Sequence, residues 1–175
     1  MTPWKAKDNT DGGAKIEIRK MILEHIDAPS VLECFAGEGK IWQACYKGLP
    51  YVGLDKKALS DGRTTVLKID NLKYLRSADL SRFNVFDLDA YGSPWHQFLI
   101  VLKRRSFVPG EAIAIFLTDG LSLLTRFGEL PHGMKKYVGI PDKMRVPCLS
   151  RHMEYIRVLV VVNAIRDAGA IIRKA

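Results

Sequence analysis

Apolar and polar positions along this chain switch repeatedly between a helical period and short unbroken runs. Residues 15–26 carry Ile16, Arg19, Met21, Ile22, Leu23 and Ile26 at mixed helical spacings, which predicts an amphipathic helix punctuated by Pro29. A short apolar run at 31–35 ends in a glycine turn and reads as a strand. Helix-like spacing at 40–47 stops at Gly48 and Pro50. Further strands are predicted at 51–54, ending at Asp55; at 64–69, a β-branched run ending at Asp70; at 84–88, ending at Asp89; and at 111–117, ending in Thr118 and Asp119. Between them lie a short helix at 72–75, a helix at 95–105 opened by Pro94 in a first-turn position, and a brief helix at 121–126. The Gly- and Pro-rich stretch 128–147 precedes the strongest helical pattern, 151–167, which Gly169 closes. Ile171 and Ile172 begin what reads as a last strand.

Strands alternating with helices predict an α/β fold, a mostly parallel sheet with helices on both faces. Strands buried on both faces read as continuous apolar runs, as residues 112–117 do. In such sheets ligands collect beyond the carboxyl ends of the strands, where the strand order reverses. A length of 175 residues suits one domain, expected over 15–175 behind a flexible polar arm at 1–14.

The apolar share of 47% supports a real core, while mean hydropathy is close to zero. No segment approaches the roughly 18–20 uncharged apolar residues of a membrane helix. The first residues lack the apolar stretch of a secretion signal, so no membrane and a cytoplasmic location are expected. Cys34, Cys45 and Cys148 are odd in number and have no ligand spacing, which argues against a disulfide framework and a metal site. A formal charge of +8 and a pI near 9.5 favour a polyanionic partner.

The chemistry-bearing residues cluster at the predicted strand ends. Glu33 is followed by Ala36-Gly37-Glu38-Gly39, whose glycines let the backbone turn and approach a ligand closely. The turn lacks the third glycine of the dinucleotide fingerprint and the Lys-Ser/Thr of a P-loop. Asp55 follows about twenty residues later, placed to accept ribose hydroxyls or to cap the next helix. Asp70 suits either an adenine amine or a helix cap. In Asp87-Leu88-Asp89-Ala90-Tyr91-Gly92-Ser93-Pro94, period-two alternation turns both carboxylates to one side. That octapeptide suits methylation of an exocyclic amine, whose lone pair is delocalised into its ring. The Asp89 carboxylate and the Ala90 carbonyl could accept its N–H bonds, and Tyr91 could stack on the base. An ordinary strand-to-helix connection is the alternative.

V-L-E-C-F-A-G-E-G-K at 31–40 resembles motif I of class I methyltransferases, and D-L-D-A-Y-G-S-P at 87–94 resembles the D-x-D-P-F-G-S-P signature of tRNA guanine-N2 dimethyltransferases. F-L-T-D-G at 116–120 is similar to that family's T-x-T-D segment, and C-L-S-R-H-M-E-Y-I-R-V-L at 148–159 to its C-x-x-x-H-E-x-A-L-R-I-L helix. The likeness spans roughly residues 31–170. It implies a Rossmann-like class I methyltransferase fold with S-adenosylmethionine on Glu33, Phe35, Gly37, Gly39, Asp55, Asp70 and Asp87. It further implies Asp89 and Tyr91 as the catalytic pair acting on a base amine, with Tyr91 in place of the family's Phe. Ala90 stands where the family has Pro, and Met153 separates His152 from Glu154. Relative to those enzymes the C-terminal hairpin is expected to be truncated.

RNA, tRNA-like, is the favoured substrate, because DNA amino-methyltransferases usually carry [DN]-P-P-[YF]. A DNA enzyme and a non-catalytic binding module are the alternatives. Lys135, Lys136, Tyr137, Lys143 and Arg145 are the expected nucleic-acid contacts. Lys103, Arg104 and Arg105 form a second basic cluster, and Trp4 and Lys5 are candidates to cover the base. A homodimer through an exposed sheet edge is also expected.

Overall fold

The computed structural model describes residues 12–57, 62–63, 65–120, 127–131 and 133–171. Its apolar runs form a five-stranded, all-parallel sheet: β1 (Val31–Glu33), β2 (Tyr51–Asp55), β3 (Val66–Lys68), β4 (Val85–Asp89) and β5 (Ala114–Thr118), in the order β3-β2-β1-β4-β5. Helices α1 (Gly12–Leu23), α2 (Asn71–Ser77), α3 (Trp95–Arg104), α4 (Met134–Tyr137) and α5 (Leu149–Asp167) flank it, with a π-helical turn at Trp42–Tyr46. The α/β class and the parallel sheet expected from the alternating pattern are therefore present.

Alternation along the central strands divides the core. Leu32, Leu54, Phe86 and Leu88 pack with Trp95, Phe98, Val101, Met153 and Ile156 from α3 and α5. Val31, Tyr51, Val85 and Phe116 point the other way, toward Ile22, Leu23, Ile26 and Tyr46. Burying one such side chain contributes about 1.5–3 kcal/mol, so this two-sided core is the main force holding the layers to the sheet.

Element ends depart from the pattern for local reasons. α1 starts three residues before the predicted 15 and stops at Leu23, where the chain tightens to i→i−3 bonds, His25 N to Ile22 O at 3.0 Å and Ile26 N to Leu23 O at 3.1 Å. The residues expected as helix at 40–47 widen into the π turn, with Lys47 N donating to Trp42 O at 2.9 Å. β5 begins at Ala114, which is held opposite Val85, because Glu111 is used in a turn with Val108. The stretch 128–147, expected as loop, contains the single turn α4. The helix expected at 121–126 and Ile172 of the last strand lie outside the described residues, as does the arm before Gly12.

The chain runs outward from β1 to β2 and β3, then returns to β4 on the other side of β1. The reversal falls between β1 and β4, so their carboxyl ends flank the crevice where this architecture binds ligands. On its outer side β5 has no strand partner among the described residues, and concavities of about 640 and 580 Å³ open along that edge. Among the described residues no helix is long and apolar enough to cross a membrane.

Candidate functional site

At the reversal, Glu33 of β1 lies in register with Asp87 of β4, and Cys34 N continues the pairing onto Asp87 O at 2.9 Å. Asp87 and Asp89 share the face covered by α1, as the alternation requires. Arg19 grips Asp87 with two bonds of 2.7 and 2.8 Å and reaches Asp89 at 3.4 Å. Tyr46, swung inward by the π turn, donates to Asp87 at 2.5 Å. Lys15, one helical turn before Arg19, donates to both oxygens of Asp89 at 2.7 and 2.9 Å.

These charges are withdrawn from water: Arg19 is 3% exposed and Asp87 0%. Burial opposes the guanidinium's charge, yet the hydrogen bond and charge of Asp87 hold Arg19 more firmly protonated than usual. Burial, then the Asp87 charge, push the Glu33 carboxyl up to about 8, against the opposing hydrogen bond from Tyr51. Burial and Asp87 likewise raise the Tyr46 phenol. The row thus contains one carboxylate neutralised by Arg19, one held by Lys15, and one carboxyl kept protonated at neutral pH.

The glycine turn lies beside this row. Gly37 and Gly39 take φ of +41° and +75°, a region costly for any residue with a Cβ. Asp55 at the end of β2 accepts from Gly37 N at 3.1 Å and Lys57 N at 2.8 Å, tying the turn to the neighbouring strand. Arg63 donates to Ala36 O at 3.0 Å and Gly37 O at 2.6 Å, and its guanidinium lies 5.9 Å from the Trp42 ring centroid. A Cβ on Gly39 would fall 2.8 Å from the Arg63 Cζ, so a side chain here requires the guanidinium to shift from its present seat. Phe35 is half-buried against the core within the same turn.

Asp70 takes the capping alternative. It accepts from Lys73 N at 3.1 Å at the start of α2 and pairs with Lys56 at 2.9 Å, and the Lys56 and backbone bonds hold its carboxyl below the usual range. Its neighbour Asn71 turns inward, donating to Cys34 O at 2.8 Å and accepting from Gln97 Nε2 at 3.0 Å. The Gln97 Oε1 is buried without a hydrogen-bond partner.

After Asp89 the chain turns sharply, with Ala90 N donating to Leu88 O at 3.0 Å, and Tyr91 emerges 91% exposed. Gly120 N donates to Gly92 O at 2.8 Å, bringing the ends of β4 and β5 together. Asp119 accepts from Trp95 Nε1 at 3.0 Å and Arg157 Nε at 2.8 Å. The first residue of α3, the segment after β5 and the long helix, separate in sequence, therefore meet through one carboxylate.

The expected nucleic-acid residues divide. Lys135 departs from the expectation of a phosphate contact: it is buried, donating to the Asp142 and Met144 carbonyls, and closes the loop it belongs to. Tyr137 is half-buried against the core, with its carbonyl accepting from Asn163 at 2.7 Å. Lys136, Lys143 and Arg145 face solvent; Lys136 lies 3.8 Å from Asp167 and Arg145 3.1 Å from Glu129. In the second cluster Arg105 is also turned inward, bonded to Phe83 O, Ser106 O and Glu111, whereas Lys103 and Arg104 are exposed. Trp4 and Lys5 lie outside the described residues.

Of the expected site residues, the fold brings Glu33, Phe35, Gly37, Gly39, Asp55, Asp87 and Asp89 to the carboxyl end of the three central strands. It adds Lys15, Arg19, Tyr46, Tyr51 and Arg63, which the strand-end reading missed. The only signal for the first two was a pair of cations one turn apart within an apolar helix pattern. Among the described residues no group of three or more His, Cys, Asp and Glu could hold a metal ion. Searches of protein families, curated proteins and solved structures return no match to this chain.

Proposed function

We propose that this chain is an S-adenosylmethionine-dependent methyltransferase of the Rossmann-like class I type, acting on an exocyclic amine of a nucleic-acid base, with RNA favoured. The observation that carries the reading is that a glycine turn tied to Asp55 and the acid–aromatic turn at 89–91 follow the carboxyl ends of the two adjacent strands at the strand-order reversal. The residues fit the cofactor. Each Asp55 oxygen holds one backbone N–H and keeps lone-pair capacity for a ribose hydroxyl. Arg63 puts a fixed positive charge beside the turn, suited to a carboxylate group.

When bound, the cofactor supplies a methyl group activated on a sulfonium. Asp89 would accept an amine N–H, localise the nitrogen lone pair and take the proton the amine loses, while the methyl's bond to sulfur breaks to leave a neutral thioether. Tyr91 offers an open ring face for the base to stack on. Glu33, being protonated and bonded to Tyr51, acts as a support of β1 and β2 in this reading. A base within a duplex would have to leave its stack first.

Calorimetric titration with S-adenosylmethionine, tritium-methyl transfer into RNA and DNA, and nucleoside mass spectrometry test the proposal. Saturable binding, a methylated base amine, and loss of turnover in Asp89→Ala with cofactor affinity kept are the expected results. Full activity of Asp89→Ala refutes the mechanism. A non-catalytic binding module is the second reading, favoured by the Lys15 ammonium already seated on Asp89. Binding without transfer to either polymer would establish it.

A further inference from the structure

Lys15 presents to Asp89 what an acceptor amine would present: N–H donors on both carboxylate oxygens, at 2.7 and 2.9 Å. Resting on the methyl-transfer reading, this means an incoming base must first displace an ammonium. Three features permit the exchange. The pair is only partly buried, with Lys15 23% and Asp89 16% exposed. The helix need not move, because the Lys15 carbonyl accepts from Arg19 Nη1 at 3.0 Å and Arg19 is anchored on Asp87. Asp89 retains the 3.4 Å contact to Arg19 once Lys15 has gone.

A displaced lysine needs a new anion. Beside it opens a mostly apolar concavity of about 580 Å³ along β5, with Lys15, Arg19 and Thr118 as its polar lining. Among the described residues a displaced Lys15 meets no protein anion there, and its flexible four-carbon stem is free to follow one brought by the substrate. An acceptor base in a polynucleotide brings its own anion, the phosphate next to it, whereas a free base or nucleoside brings none. We propose that Lys15 is a specificity-determining residue: it occupies Asp89 in the absence of substrate and transfers to the phosphate of the acceptor nucleotide. The site therefore opens for a nucleotide within a chain and stays closed to nucleosides.

The test is a double-substitution cycle on the full chain, read by fluorescence anisotropy with a fluorescein-labelled single-stranded RNA. Asp89→Asn frees Lys15 and binds the RNA roughly tenfold more tightly than the unaltered protein, the scale of one charge-assisted hydrogen bond. In a Lys15→Met background the same change gains less than about threefold, only relief of repulsion remaining. Equal gains in both backgrounds overturn the proposal. Lys15→Met also flattens the salt dependence of RNA binding by roughly 0.7, one phosphate contact, and Lys15→Arg restores it; an unchanged slope overturns the proposal as well. In transfer assays Lys15→Met narrows the preference for oligonucleotide over nucleoside, and a constant ratio counts against it. If the unaltered protein binds cofactor but methylates nothing, the methyl-transfer reading falls, while the binding cycle still decides the role of Lys15.

Discussion

Replacing Arg19 by methionine removes the cation that two buried bonds attach to Asp87, at 2.7 and 2.8 Å. What remains is a carboxylate with 0% exposure, next to Glu33 in the paired strand. Breaking a buried pair by deleting one partner costs about 3–5 kcal/mol, because the orphaned charge keeps its desolvation cost and loses its compensation. A domain of this size has only about 5–15 kcal/mol of stability in total. At about 2–4 °C per kcal/mol, Arg19→Met should lower Tm by about 6–20 °C. Urea unfolding at pH 7 measures the same loss as a shifted midpoint.

Two controls make that result specific. Asp87→Asn keeps an acceptor for the Tyr46 hydroxyl but removes the charge, so the double variant should be about 2 kcal/mol more stable than the sum of the single losses. Lowering the pH, which protonates carboxylates, should shrink the Arg19→Met deficit. A deficit under about 1 kcal/mol, or strict additivity in the double variant, would mean that the pair is not the buried unit described here.

The Glu33 carboxyl stands at about 8 in the fold against an ordinary 4.5, so it takes up a proton on folding between those values. Its contribution is complete below pH 4.5 and is lost as pH rises toward about 8, with a slope of up to about 1.4 kcal/mol per pH unit. Glu33→Gln should remove that slope in urea titrations from pH 5 to 8; parallel curves for the two proteins would exclude it. Asp55→Ala should weaken S-adenosylmethionine by about 1–3 kcal/mol in calorimetry, and an affinity within twofold of the original would remove Asp55 from the cofactor site. Gly39→Ala should lower Tm more than Gly48→Ala: both have positive φ, +75° and +91°, but only the Gly39 methyl meets the Arg63 guanidinium. Equal losses would show that Arg63 yields without cost.

Of the strands that position the site, β2 was legible where burial on both faces made the sequence continuously apolar, at 51–54, and β4 as the apolar run 85–88 broken only by Asp87. The strand order was not, since no local pattern says on which side of β1 the returning β4 will lie. Glu33, Asp55, Asp87 and Asp89 could be picked out because strand ends are recognisable and polar residues there are conspicuous. Lys15 and Arg19 could not, because their partners lie 74 and 68 positions away and a helical cation in isolation reads as solvated. Lys135 and Arg105 misled for the converse reason. Both lie in or next to irregular segments with no period to assign an inward face, and backbone carbonyls, which carry no sequence signature, are what turned them inward.

Three acids in one row at the end of two adjacent strands would repel one another and lose hydration unless each were neutralised. The fold solves this differently with depth. Glu33 takes a proton, which needs no partner charge. Asp87, fully enclosed, takes the guanidinium and phenol of Arg19 and Tyr46, a partnership that solvent cannot replace without unfolding the helix above it. Asp89, 16% exposed at the mouth, takes a lysine on a flexible stem. Exchange of partners is cheapest where water can assist, so among these three acids the outermost carboxylate is the one whose protein cation can be exchanged with least disturbance of the core. That gradient in burial is a physical reason, independent of any resemblance, for the proposal to place the amine contact at Asp89 rather than at the two more deeply buried acids behind it.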